Sequence, residues 1–291
     1  TCGQTDNADR QTAADDKQLN VTAASIIMTT MYAARMAKPE LQRCAGALAT
    51  QLTRWTEQED QRLHRMMSYL HTRLDDVLVG FIADPPDLLR IALFADADFA
   101  GDKRDFKSTS GVFMALVGPQ SFFPLGWGSR KQTCASHSSV EAEIVAADEA
   151  LRLEGIPALD VWGKILGRIP KVTLYEDNQA TARIIQTGKY YPKLRHVQRL
   201  HGVNISWLHD LFRKGLYDIH DTHTKCQAGD IFTKHFTSVL GWQHAMKLIG
   251  VLCDDKLAKS LRAHVIHPTV QPLHADRASA CLLYTSPSPR D

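Results

Sequence analysis

No stretch of this 291-residue chain approaches the roughly 18 consecutive apolar residues of a membrane-spanning helix, so the sequence is not read as that of a membrane protein. Nor does one sign of charge dominate. Lys and Arg total 34 against 32 Asp and Glu, a net charge of +2. That balance excludes a strongly basic nucleic-acid coat but leaves room for a locally basic groove. The six cysteines (Cys2, Cys44, Cys134, Cys226, Cys253 and Cys281) form no Cys-x-x-Cys pair. Scattered thiols suit a reducing compartment better than a disulfide framework. There is no internal repeat and no basic-then-apolar leader. The chain opens on Thr1 rather than Met and is read as a fragment of a longer translation product. What is present is ordinary for a globular protein: 44% hydrophobic and 23% charged residues exclude a wholly disordered or collagen-like chain. At roughly 150 residues per domain, the length suggests about two domains.

Residues 1–20 are polar and expected to be disordered. Helical patterning follows, in the stretch from Ala23 to Met36, in Leu41, Cys44, Leu48 and Leu52, and in Leu63, Met66, Met67 and Leu70. Pro85-Pro86 breaks the pattern. Leu88 to Phe94 is then nearly all apolar, as expected of a strand buried on both faces. Further strands are expected at Gly111–Val117, Phe122–Trp127, Val172–Tyr175 and Tyr217–Asp221. Helices are expected at Ser138–Leu153, Asn178–Ile185, Val203–Phe212 and from Ala228. This order predicts an α/β fold with a mixed sheet and helices packed on it. A helical extension is expected at 237–270 and a disordered tail at 271–291. The tail's last ten residues carry Pro287 and Pro289, have no periodicity, and read as translated adaptor sequence.

Four acidic positions stand at element ends. Asp96 closes the buried strand, where an unpaired carboxylate costs several kcal/mol by order of magnitude; the bland alternative is a solvated loop Asp. In Ser138-Ser139-Val140-Glu141-Ala142-Glu143, the spacing of Ser138 and Glu141 is that of a capping box. Capping accounts for Glu141 but not Glu143, which borders the stripe of Val140, Ile144, Ala147 and Leu151. The two glutamates point about 200° apart on a helix, so Glu143 is the candidate. Asp177 follows the strand Val172–Tyr175, and its bland role is helix capping; its neighbour Glu176 should point elsewhere. Asp230 alone is a first-turn Asp favoured by the helix dipole.

Together these residues form a pattern. Asp96-Ala97-Asp98-Phe99-Ala100-Gly101-Asp102, Lys107-Ser108-Thr109-Ser110-Gly111, Ser138 to Glu143, Asp177-Asn178-Gln179-Ala180 and Asp230-Ile231-Phe232-Thr233-Lys234 closely resemble the ribonuclease H domain of Ty1/copia-type retrotransposon polyproteins. The resemblance covers roughly residues 88–236. Ala33 to Glu40 and Arg62 to Leu70 resemble the last, helical part of the reverse transcriptase in such polyproteins, placing that segment at 21–84. The polymerase's own Asp-Asp pair should lie upstream. Leu74-Asp75-Asp76-Val77 imitates it but is expected to be solvated loop.

The resemblance implies a ribonuclease H-like fold, a five-stranded mixed sheet flanked by helices. It carries a catalytic and metal-binding quartet over to Asp96, Glu143, Asp177 and Asp230. The chemistry it implies is hydrolysis of the RNA strand of an RNA–DNA hybrid with Mg²⁺ or Mn²⁺, hard cations that suit carboxylate oxygens. Two ions about 4 Å apart are expected. His223 falls where related enzymes have a mobile histidine that aids proton transfer or product release, although copia-type sequences often have Pro there. Arg130, Lys131, Lys189, Lys193, Arg195 and Arg199 could hold phosphates without reading sequence; a solvated face is the alternative. The upstream reverse transcriptase part is an implied partner. The expected location is cytoplasmic, in the element's particle, or nuclear.

The sequence departs from the family pattern at Gly229 (commonly Ala), at Phe99 (commonly Trp), and in Arg195 to His201, which matches only loosely. His220, His223 and Cys226 mimic a zinc cluster but lack a fourth ligand at zinc-finger spacing. Trp127 and Trp207 are expected in the core. Two other readings compete: an inactive or repurposed nucleic-acid-binding module, and a DNA-strand-transfer enzyme on the same fold. The carboxylate order of the latter would end in Glu, whereas here Glu143 comes second.

Overall fold

The computed structural model describes residues 22–189 and 191–252. The expected disordered ends, the part of the extension beyond 252, and Cys2, Cys253 and Cys281 lie outside them. The described residues form two compact units that divide between Asp75 and Asp76. Among them, no helix is long and apolar enough to cross a membrane.

The first unit is helical: α1 (22–36), α2 (Gln42–Ala49) and α3 (Glu57–Thr72). Pro39 starts a 3₁₀ turn, Pro39–Leu41, at a position where its missing N–H costs nothing. Ile27, Ala34, Leu41, Ala45, Leu48, Leu63 and Met66 interlock as its core. Asp75 is exposed, but Asp76 is only 7% exposed. The expected pair of solvated carboxylates is therefore half corrected, because Asp76 leads directly into a paired strand.

Among the described residues, the second unit contains seven strands: β1 (Val77–Leu78), β2 (Arg90–Asp98), β3 (Lys107–Gly118), β4 (Ser121–Ala135), β5 (Val172–Glu176), β6 (Tyr217–Asp221) and β7 (Val251–Leu252). Five build a sheet in the order β4-β3-β2-β5-β6; β1 and β7 pair separately. β2 runs antiparallel to β3 and parallel to β5, and β5 runs parallel to β6. β4 is an edge strand and extends well past the expected Trp127. An edge tolerates Pro124, and the register with β3 shifts beside it, from Met114↔Gly126 to Ala115↔Pro124.

The period-two alternation of the strands sorts side chains into two cores. Ile91, Leu93, Val112, Met114 and Leu116 face one layer, which includes α4 (Ser139–Ala150), α6 (Gln179–Thr187) and α8 (Ile205–Arg213). Phe113 and Ala115 face the other, with Phe232, Ala245, Met246 and Val251 from the 3₁₀ turn Ala228–Phe232, from α9 (Val239–Leu248) and from β7. This unit thus draws its core from residues 77–252, a wider span than the 88–236 read from the motifs. Trp127 and Trp207 both pack against these cores.

Three local expectations are corrected. The helix expected over Ser138–Leu153 gives way to a π-turn at Leu151–Gly155 and runs on as α5 (Ile156–Leu166). Pro157 sits in the first turn of α5, where proline does not break a helix. At 197–201 a short α7 (Val197–His201) precedes α8. The helix expected from Ala228 is a five-residue 3₁₀ turn. Buried Gln227 holds that turn tight: its Oε1 accepts from Gly229 N, and its Nε2 donates to Ala95 O at 2.9 Å.

Candidate active site

The sheet places two carboxylates before any side chain is considered. β2 and β5 are adjacent and parallel, with Phe94 opposite Tyr175. Asp96 and Asp177 therefore both leave the carboxyl end of the sheet, side by side, where ligands collect in α/β folds. Helix α4 packs on β2 and β3 and brings Glu143 from its first turns to the same place. One carboxylate oxygen from each of Asp96, Glu143 and Asp177 lies within 4.8 Å of the other two. These three line a cleft with Lys234 and the start of α6 at Gln179 and Ala180.

The bland roles considered for these residues are taken by their neighbours. Asn178, not Asp177, caps α6: its Oδ1 accepts from Ala180 N and Thr181 N at 3.1 and 3.2 Å. Ser138 caps α4, its Oγ accepting from Glu141 N at 3.2 Å. The Glu141 carboxylate reaches back past Ser138 to His137 N, 3.0 Å away. Its two oxygens also meet His196 Nε2 at 3.1 Å and His201 Nε2 at 3.0 Å. The sequence offered no sign of this histidine clamp, since its partners lie 55 and 60 residues downstream.

Asp230 approaches from the other side. Its Oδ1 accepts from Lys234 Nζ at 2.6 Å, and the same ammonium is 3.4 Å from Asp96 Oδ1. Asp96 Oδ2 accepts from Thr233 Oγ1. Asp230 is thus tied to Asp96 through Lys234 and lies outside the three-carboxylate group. Glycines make this approach feasible. A Cβ on Gly111 would come within 2.6 Å of Thr233 Cγ2 and 2.8 Å of Gly229 O, and one on Gly229 within 3.0 Å of Asp96 Cβ. The Lys107–Gly111 fingerprint is therefore structural: Gly111 admits the turn bearing Asp230, and Ser108 Oγ accepts from Ala100 N. Ser110 Oγ accepts from Gln132 Nε2, which also donates to Ala142 O on α4.

The electrostatics are those of crowded acids. Burial, then the charges of Glu176, Asp96 and Asp177, push the Glu143 carboxyl up to about 10. Burial and Asp96 push Asp230 up to about 7. Burial also raises Asp96, with Lys234 and Thr233 pulling the other way. Burial alone would lower the Lys234 ammonium, but Asp96 and Asp230 outweigh it and hold it above its usual range. Glu176, expected to point elsewhere, is fully buried and raises the Glu143 carboxyl more than any other charged neighbour. Its Oε1 accepts from Asn178 N, while its Oε2 has no partner. Glu143 Oε2 is also buried without a partner. Oxygen-only donors, an excess of negative charge and an unsatisfied buried oxygen fit a hard divalent cation.

The remaining candidates are dispersed. His223 is exposed, and its Nδ1 accepts from Lys225 N at 3.1 Å. Among the described residues, Asp96–Glu143–Asp177 is the only group that could hold a metal, so His220, His223 and Cys226 form no such cluster. Arg130 pairs with Glu154 at 3.1 Å, and Lys131 with Asp102 and Asp105 at 2.5 and 2.8 Å. Lys189, Arg195 and Arg199 are exposed. The side chain of Lys193 lies outside the described residues.

The strand order, the one antiparallel strand β3 between β2 and β4, and carboxylates at the end of the central strand and its parallel neighbour define a ribonuclease H-like α/β fold. Comparison with known proteins agrees with the family resemblance. The chain is 25% identical over 216 residues to the retrovirus-related Pol polyprotein from transposon RE1 of Arabidopsis thaliana, covering 74% of this chain. It spans only 14% of that polyprotein's length. It is also 29% identical over 131 residues to secreted RxLR effector protein 161 of Plasmopara viticola, covering 45% of this chain and 87% of the effector. Among solved structures, LC11-RNase H1, isolated from compost, is similar with a TM-score of 0.34 and 13% identity, covering 50% of this chain and 92% of that one. No family model matches the chain.

Proposed function

We propose that the second unit is a metal-dependent endonuclease that hydrolyses the RNA strand of RNA–DNA hybrids within a retrotransposon Pol polyprotein. The helical first unit would be the trailing end of the reverse transcriptase. The observation that carries this reading is the convergence of Asp96, Glu143 and Asp177, with oxygens within 4.8 Å and Glu143 Oε2 left without a donor. Similarity to Pol polyproteins supplies the context of reverse transcription.

When bound there, divalent metal would supply activation of a water and stabilisation of the departing 3′ oxygen. Asp96, Glu143 and Asp177 would hold the ions, with Asp230 close by. Gln227 and Gly111 keep the Asp230 turn pressed on Asp96, and the Glu141 clamp fixes the start of the helix that carries Glu143. Lys189 and Arg199 are exposed and would meet phosphates, Arg195 would do so on giving up its Nε bond to Pro192 O at 3.1 Å, and Arg130 and Lys131 would first have to leave their carboxylate partners. His223, exposed on its turn, would serve proton transfer or product release.

The test is cleavage of a labelled RNA–DNA hybrid with Mg²⁺, wild type against Asp96→Asn. The expected result is cleavage by the wild type to 5′-phosphate ends, and loss of cleavage with retained hybrid binding in the variant. Equal inertness of both proteins, with both still binding, would establish the alternative of a non-catalytic binding module.

A further inference from the structure

We propose that the loop between β2 and β3 holds Phe106 in solvent as a stacking platform for an unpaired base of a single RNA or DNA strand. The inference goes beyond the cleavage reading above and takes from it only the class of partner. Phe106 is 64% exposed, and its backbone is left-handed, at φ 55°. An exposed aromatic ring alone needs no explanation. A bulky side chain in the left-handed region does, because its Cβ crowds the backbone there. Glycine or asparagine would fill the position at lower cost. A ring left mostly in solvent offsets little of that cost by burial. Strain kept beneath an exposed ring points to something that the ring touches.

The loop is built to hold that conformation. Phe106 N donates to Asp102 O at 2.8 Å, and Asp102 N to Lys107 O at 3.2 Å. Asp102 Oδ1 accepts from Arg104 N at 2.9 Å, and Asp105 Oδ1 from Lys107 N at 3.2 Å. The Oδ2 atoms of both aspartates pair with Lys131 Nζ on β4, at 2.5 and 2.8 Å. At the base of the loop, Ser108 Oγ accepts from Ala100 N and Asp98 Oδ1 from Thr109 N, which closes it across the β2–β3 ladder. These bonds also set the charge of the partner. Lys131 meets both carboxylates of the loop, while the exposed Lys103 and Arg104 and the half-buried Lys107 leave it with surplus positive charge. A flat apolar ring among surplus cations is the pairing that grips a nucleic-acid strand without reading its sequence: the ring takes the face of a base, and the cations take its phosphates. Inside a duplex the base faces are already stacked on one another, so the base at Phe106 is an unpaired one. Phe99, 46% exposed, opens the same loop three residues beyond Asp96. Its Cα is therefore at most about 11 Å from that of Asp96, and a strand end running out of the acidic cleft would meet this loop.

The test measures binding of the full chain, in a chelator, to labelled oligothymidylate and to an abasic strand of equal length by fluorescence anisotropy. Wild type should bind oligothymidylate more tightly than the abasic strand. Phe106→Ala should weaken oligothymidylate binding about five- to hundredfold and leave abasic binding unchanged. Phe106→Tyr should keep the wild-type affinity, whereas Phe106→Leu, apolar but without a flat ring, should bind as Phe106→Ala does. Phe106→Gly should bind as weakly as Phe106→Ala yet melt at a higher temperature than wild type, because glycine accepts the left-handed backbone. Equal affinity of wild type and Phe106→Ala, an equal loss on the abasic strand, full affinity in Phe106→Leu, or no rise in melting temperature for Phe106→Gly would overturn the proposal. Cleavage of an RNA–DNA hybrid with Mg²⁺ is followed in parallel. Base-dependent binding through Phe106 without any cleavage leaves the platform standing and removes the nuclease function, whereas cleavage with no effect of Phe106 on binding does the reverse.

Discussion

Replacing Glu143 by Gln should stabilise the metal-free protein and remove the metal's grip on it. The carboxyl of Glu143 rises from 4.5 to about 10 on folding, because burial and the carboxylates of Glu176, Asp96 and Asp177 oppose its charge. An acid with a raised folded-state pKa binds its proton more tightly in the folded chain than in the unfolded one. Stability is therefore greatest below about 4.5 and falls as pH rises toward about 10. Each pH unit in that window costs about 1.4 kcal/mol. At pH 7 the deficit is on the order of 3 kcal/mol, and at pH 5 it is under about 1 kcal/mol. Gln has the shape of the protonated acid and no charge to bury, so the variant escapes the deficit. For a unit of this size, about 3 kcal/mol corresponds to a rise of about 6–12 °C in Tm. The assay is thermal unfolding in a chelator at pH 5, 7 and 8.5. The gap between variant and wild type should widen with pH. Added Mg²⁺ or Mn²⁺ should then stabilise the wild type by mass action and leave the variant nearly unmoved. Parallel curves across that pH range, or a variant that melts lower at pH 8.5, would refute the reasoning.

Other perturbations test the scaffold. Glu141→Ala leaves His201, whose side chain is 1% exposed, without its carboxylate. Leaving a buried hydrogen-bonding group without its partner should cost about 1–3 kcal/mol in urea unfolding; a loss below about 0.5 kcal/mol would mean that the clamp contributes nothing. Gly111→Ala drives a methyl toward Thr233 Cγ2 and Gly229 O. It should cost about 1–3 kcal/mol and lower hybrid cleavage by displacing Asp230, and unchanged melting and cleavage would contradict the packing argument. Leu93→Ala, in a fully buried position of the central strand, should cost about 2–5 kcal/mol in the same assay.

The legible part of this protein was local. An apolar strand ending in Asp96, a short strand ending before Asp177, and a helix whose stripe borders Glu143 follow from period-two and 3.6-residue patterns. The ladder β2–β5 then places the two aspartates together with no further information. What stayed hidden depends on partners distant in sequence. Nothing near Glu141 announces His196 and His201. Nothing near Glu176 announces that its fully buried carboxyl presses on Glu143. The turn at 228–232 looked helical because its composition permits a helix. Its shape is set instead by Gln227 reaching Ala95 O on β2, a contact across 132 residues. Helix α5 lies beyond the expected end at Leu153, and Pro157 sits in its first turn, where proline does not break a helix.

The contrast between Glu141 and Glu143 carries the functional argument further than either residue alone. Both lie in the first turns of α4, two positions apart, and both are buried. Around Glu141 the fold supplies three nitrogens: His137 N, His196 Nε2 and His201 Nε2, each within 3.1 Å. Around Glu143 it supplies three acids as neighbours, Glu176, Asp96 and Asp177, and leaves Oε2 with no donor. A buried carboxylate without donors is among the costliest groups a fold can carry. A protein that can satisfy one glutamate so completely has the means to satisfy the other, or to replace it with an apolar residue. Left unsatisfied beside Asp96 and Asp177, it must take up either a proton, as its raised pKa shows, or the cation proposed for this group. The unsatisfied oxygen of Glu143 supports the proposed metal through its place between Asp96 and Asp177, and Glu141 on the same helix is its internal control.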